Sequence, residues 1–137
     1  MKKIELVCII DDDPIHQLLI KRHLKNTGMV KNYLDFKNGK EAYYELISKK
    51  ENNEKLPDII FLDIQMPVWD GWQFLEEFTK LGLENEVEIF MVTSSIFEND
   101  YKKAEGFGLE NKYLVKPVNT DKLKECIQKI LDQNSDN

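Results

Sequence analysis

Three aspartates in succession, Asp11, Asp12 and Asp13, follow an apolar run from Ile4 to Ile10, and a fourth, Asp63, closes the run Ile59-Ile60-Phe61-Leu62. Neighbouring carboxylates repel each other and gain little unless a cation lies between them, so Asp11 and Asp12 read as a site for a hard divalent ion. Mg²⁺ suits such a site, because it prefers oxygen, retains several waters and readily takes a phosphate oxygen. Asp13 has a simpler account as a helix N-cap, with Pro14 at the first helical position. Taken singly, Asp63 is an ordinary strand-end turn residue, Thr93 after Val87 to Val92 is turn chemistry, and Lys116 after Tyr113 to Val115 is a solvated charge. Taken together they offer a carboxylate nucleophile, a metal pocket, a hydroxyl donor and an ammonium. Those are the groups that neutralise a phosphoryl group in transfer.

A fold must bring these residues to one place. Apolar runs bounded by turn residues occur at Ile4 to Ile10, Asp58 to Leu62, Val87 to Val92 and Lys112 to Val115, with a weaker one at Asn32 to Phe36. Between them, apolar residues at three- and four-residue spacing predict helices over Pro14 to Asn26, Gly39 to Lys50, Trp72 to Leu81, Glu98 to Glu105 and Thr120 to Leu131. Strict alternation of this kind predicts a doubly wound α/β domain, a five-stranded parallel sheet covered on both faces through right-handed crossovers. In flavodoxin-like order 2-1-3-4-5 the winding direction switches between the first and third strands, and ligands bind beyond the carboxyl ends there. The residues after Ile10 and Leu62 occupy that position.

At 137 residues the chain suits one domain, with a core over about 4–131 and a short polar tail. A net charge of −6 argues against a surface that neutralises nucleic-acid phosphates, so direct nucleic-acid binding is not expected. Cys8 and Cys126 lack metal-type spacing and are expected to be reduced and packed. The apolar start is too short for a signal sequence or a membrane span, which predicts a cytoplasmic protein without membrane insertion. The polar segment Lys49 to Lys55 reads as a solvated helix end and loop. His16 and His23, on the first helix, are expected to be solvated or to face a partner.

In order along the chain, IIDDDP, IIFLDIQMPVWDG, MVTSS and YLVKP resemble the signature blocks of response-regulator receiver domains, in particular the stand-alone, chemotaxis-regulator-like kind. The resemblance spans nearly the whole chain. It implies that Asp63 is the phosphoacceptor, Asp12 a direct Mg²⁺ ligand, Asp11 an acidic-pocket residue acting largely through water, and Gln65 a ligand through its backbone carbonyl. Thr93 and Lys116 would contact phosphoryl oxygens, and Tyr113 matches the aromatic switch position. Pro67 and Gly71 match the loop after the phosphoacceptor, and the Lys116-Pro117 bond is a cis candidate. Trp69 and Ser94 depart from the commonest pattern, in which smaller residues stand. Gln65, Ser94 and Ser95 would flank the path of the hydrolytic water.

The donor implied is a phosphohistidine on a sensor histidine kinase or a phosphotransfer protein, and the output a protein target met through the fourth helix, fifth strand and fifth helix. Such a domain catalyses its own phosphorylation and dephosphorylation without being a conventional enzyme. Two other readings compete. A haloacid-type hydrolase also uses an Asp nucleophile with Mg²⁺, but needs a second Asp two residues on, where this chain has Gln65. A flavodoxin would need a phosphate-cradling loop after the first strand, where the acids of this chain would repel FMN. Crowding of Asp11, Asp12 and Asp63 further predicts that the metal-free protein is held below its attainable stability, and that Asp11→Asn would raise it by about 1 kcal/mol.

Overall fold

The computed structural model describes residues 3–83, 86–94 and 97–135, with side chains through Gln133. Strands β1 (Ile4–Ile10), β2 (Val30–Phe36), β3 (Ile59–Leu62), β4 (Glu88–Thr93) and β5 (Tyr113–Val115) alternate with helices α1 (Pro14–Thr27), α2 (Gly39–Glu51), α3 (Gly71–Thr79), α4 (Glu98–Gly106) and α5 (Thr120–Ser135). A short 3₁₀ turn, Glu110–Lys112, precedes β5. All strand pairs are parallel, in the order β2-β1-β3-β4-β5. This is the flavodoxin-like arrangement that the alternation predicts.

The two sheet faces follow from the period of two along each strand. Cys8, Ile10, Ile60, Leu62, Ile89 and Met91 point to one side, where α2, α3 and α4 contribute Leu46, Phe74, Phe78 and Ala104. Val7, Ile9, Ile59, Phe61, Phe90 and Val92 point to the other, beneath Ile20 and Leu24 of α1 and Leu123 and Ile127 of α5. The central strands are therefore buried on both faces. Both cysteines are free and buried, and burial pushes the Cys8 thiol far up, so it packs as a small apolar group.

Register decides what reaches the carboxyl edge. Ile10 lies opposite Leu62, and Leu62 opposite Met91, so Asp11 and Asp63 leave the sheet side by side and Thr93 ends β4 beyond them. The Asp63 amide donates to the Ile10 carbonyl at 2.9 Å, and the Asp11 amide to Phe36 at 3.1 Å. Most element boundaries shift by one or more residues from expectation, with α3 ending two residues early at Thr79 and α5 running four residues further to Ser135, and three other shifts are informative. Strand β2 begins at Val30, because its first residues pair with β1 despite alternating poorly. Lys112 belongs to the 3₁₀ turn and not to β5. Helix α3 starts at Gly71, one residue early, because the Asp70 side chain caps the Gln73 amide at 2.9 Å.

Candidate metal centre and phosphoryl site

Asp13 accepts from the Ile15 amide at 2.9 Å and the His16 amide at 3.4 Å, and Pro14 opens α1, so the third acid of the run is a cap. That leaves two acids at the end of β1. One carboxylate oxygen each from Asp11, Asp12 and Asp63 lie within 4.8 Å of one another. Asp11 and Asp63 are 3% and 6% exposed, while Asp12 is open to solvent. An all-oxygen donor set with one solvated member fits a hard divalent cation that keeps part of its water.

Lys116 reaches this cluster from β5, with Nζ 3.2 Å from Asp11 and 3.6 Å from Asp63. Its amide donates to the Thr93 carbonyl at 2.8 Å, which ties the ends of β4 and β5 together, and the Lys116-Pro117 peptide is cis. Thr93 is fully buried. Tyr113 is half-buried one strand away and meets Tyr101 of α4 edge-on, with ring centroids 5.8 Å apart. Gln65 and Pro67 are exposed in the loop after β3, and Ser94 is exposed after β4. Ser95 lies outside the described residues. Gly71 closes that loop by donating its amide hydrogen to the Ile64 carbonyl at 2.8 Å.

Sequence reasoning missed two residues here. His16 does not stand in solvent: its Nδ1 contacts Asp11 Oδ2, and the side chain is largely covered. Gln17 donates through Nε2 to the carbonyls of Asp11 at 2.8 Å and Phe36 at 2.7 Å, joining α1 to the ends of β1 and β2. His23 is likewise engaged, with Nδ1 2.8 Å from Thr120 Oγ1 at the start of α5. The helical phase of α1 was the available signal. Positions three and four residues beyond the cap return to the sheet edge, which places His16 and Gln17 over Asp11.

The two buried acids carry unequal burdens. Burial pushes the Asp63 carboxyl up to about 6, helped by the charges of Asp11 and then Asp12, while Lys116 and the Gln65 amide only partly oppose the rise. Burial would raise Asp11 as well, but His16, the Asp13 amide at 2.9 Å and Lys116 outweigh it and hold the carboxyl below its ordinary value. The cost of crowding thus falls on Asp63. Asp11→Asn is accordingly expected to lower the stability of the metal-free protein by about 1 kcal/mol near neutral pH, reversing the expectation from charge counting, because it breaks charge-assisted bonds to His16 and Lys116. Stability from Asp11 is present above its unfolded value near 4 and fades as pH falls through the lower folded value. Urea melts of both proteins in chelator at pH 7 decide the sign.

A family model described as the response regulator receiver domain matches residues 7–128, and the chain belongs to that family. It is 28% identical over 131 residues to the sensor histidine kinase CheAY of Helicobacter pylori, covering 96% of this chain and 15% of the kinase. It is 24% identical over 125 residues to the probable methanogenesis regulatory protein FilR2 of Methanothrix harundinacea, covering 91% of this chain and 80% of that protein. Among solved structures, a two-component response regulator from Cytophaga hutchinsonii superposes with a TM-score of 0.86 at 28% identity, covering 96% and 99% of the two chains. The chain is a receiver domain of two-component phosphorelay signalling, a class that is not conventionally enzymatic. Among the described residues, no helix is long and apolar enough to cross a membrane.

Proposed function

We propose that the 137 residues act as a single cytoplasmic receiver module that takes a phosphoryl group onto Asp63 from a phosphohistidine of a sensor histidine kinase or phosphotransfer protein. The observation that carries this reading is the convergence of three carboxylates within 4.8 Å with the Lys116 ammonium 3.6 Å from one of them. An Asp63 oxygen attacks phosphorus, the phosphorus–nitrogen bond breaks, and the donor imidazole keeps the electron pair. Lys116 pairs with charge on the transferring group, and the Thr93 hydroxyl donates to one of its oxygens. Asp12, Asp63 and the Gln65 carbonyl would hold Mg²⁺, with Asp11 acting through water, and the ion would supply charge neutralisation between an anionic nucleophile and an anionic donor.

Output follows from the same edge. A phosphoryl group at Asp63 draws Thr93 toward it, and Tyr113 repacks against Tyr101, shifting the surface of α4, β5 and α5. Phe97 on that surface is 71% exposed, which suits a protein target that covers it. Incubation with acetyl phosphate or a phosphorylated kinase in Mg²⁺ should give one acyl phosphate per chain, and peptide mapping should find it on Asp63. Label on another residue, or labelling at full rate in chelator, would remove the reading.

A further inference from the structure

The loop from Ile64 to Asp70 carries two consecutive residues that ordinarily avoid the left-handed region, Val68 at φ 48° and Trp69 at φ 62°. For a β-branched residue this is a true outlier, and such residues persist only where the surroundings over-determine them. The surroundings here belong to α2. The Trp69 ring packs on Tyr43 with centroids 5.2 Å apart and on Tyr44 at 6.1 Å, and the two tyrosines meet edge-on at 5.5 Å. Those separations lie in the favourable range for aromatic pairs. The Trp69 carbonyl also accepts from the Gly39 amide at 3.3 Å, satisfying one of the N–H groups left over at the start of α2. A Cβ at Gly39 would lie 2.7 Å from that oxygen, so the approach requires glycine.

We infer that Trp69, clasped by Tyr43 and Tyr44, is a positioning residue that holds the strained loop after Asp63 in the arrangement competent to bind the metal. This rests on the reading of Asp63 and Gln65 given above. Gln65 lies four residues from Trp69 on a segment whose far end is fixed by Gly71, so freeing the Trp69 end leaves the intervening backbone free to sample other conformations. A site populated only part of the time binds in proportion to that population. Loss of the ring should therefore weaken Mg²⁺ binding without touching any ligand.

The test uses Mg²⁺ alone, measured by calorimetry on the full chain, with amide hydrogen exchange as a readout that needs no metal. Trp69→Ala should raise the Mg²⁺ dissociation constant about fivefold and speed exchange at the Gly39 amide. Trp69→Phe should restore most of both, because a ring can still stack on the tyrosines. Tyr44→Ala, at a position 56% exposed, should fold normally and shift both readouts in the same direction by less. A Trp69→Ala protein with a lower denaturation midpoint but an unchanged dissociation constant would reduce Trp69 to ordinary packing and overturn the inference. So would failure of Trp69→Phe to recover binding. If wild type bound no Mg²⁺, the reading of the metal site would fall, whereas unchanged Gly39 exchange across the variants would sink the clasp on its own.

Discussion

Asp63→Asn is expected to take up no phosphoryl group and yet, without metal, to be more stable than wild type by about 2 kcal/mol at pH 7. The first effect is chemical: a neutral amide is a poor nucleophile and cannot form the acyl phosphate. The second follows from the carboxyl having been pushed from 3.8 up to about 6 by burial and by Asp11. A carboxyl with a raised folded value favours the native state when protonated and loses that advantage as pH rises. Below about 4 the group is protonated in both states and the two proteins should differ little. Between about 4 and 6 the carboxyl ionises in unfolded wild type while it stays protonated in the native protein, so the difference opens, and above 6, where both states are ionised, it stays constant. The interval corresponds to about 3 kcal/mol at 1.36 kcal/mol per unit, and screening by solvent at the open side of the pocket reduces it. Mg²⁺ should reverse the order. At about 100 times the dissociation constant it adds roughly 2.7 kcal/mol to the protein that binds it, and the Asn variant binds it less well. Urea melts at pH 4, 5, 6 and 7, with and without Mg²⁺, check both halves. An Asn variant less stable than wild type at pH 7 in chelator would show that Asp63 is not the acid that carries the repulsion.

The pattern of strands ending in acid, hydroxyl or ammonium was open to reading because backbone topology fixes it. Once β1, β3, β4 and β5 are parallel neighbours, Asp11, Asp63, Thr93 and Lys116 must emerge at one edge, whatever their side chains then do. Charge pairing was harder to read, because it depends on side-chain direction. His16 lies five residues from Asp11, a spacing with no meaning within a helix, and the contact exists because a capped turn intervenes. Asp11, Asp12 and Asp63 suggested shared repulsion, but Asp11 is compensated by His16 and Lys116, Asp12 is open to solvent, and the burden falls on Asp63. The left-handed backbone at Val68 and Trp69 had no signal in residue type, since neither is glycine or asparagine. Trp69 looked unusual by size alone. Its role becomes legible only when Tyr43 and Tyr44 of α2 are seen beneath it.

Gly71 offers the sharpest test of how closely the fold is built against the site. A Cβ there would stand 2.5 Å from the Asp63 carbonyl oxygen and 2.9 Å from the Ile64 Cα, both main-chain atoms with no flexible end to swing aside. The glycine cannot retreat either. Its amide donates to Ile64 at 2.8 Å, and the helix it opens is anchored by Phe74, Leu75 and Phe78, all buried beneath the sheet. Gly71→Ala must therefore push either α3 off its core or Asp63 off its position, and we expect a loss of about 3 kcal/mol, the scale of forced overpacking. Labelling of Asp63 should slow at least about tenfold, because a displacement well under 1 Å at the attacking atom is enough to misalign a transfer that depends on orientation. Gly106→Ala is the matched control. No atom lies within 4 Å of a Cβ there and the residue is helical, so the added methyl should be neutral or stabilise by up to about 1 kcal/mol. Denaturant melts and labelling rates of the two variants separate the cases. If Gly71→Ala melted and labelled like Gly106→Ala, the close approach of α3 to the Asp63 main chain would not exist in solution, and the loop between them would have to be held by something other than contact.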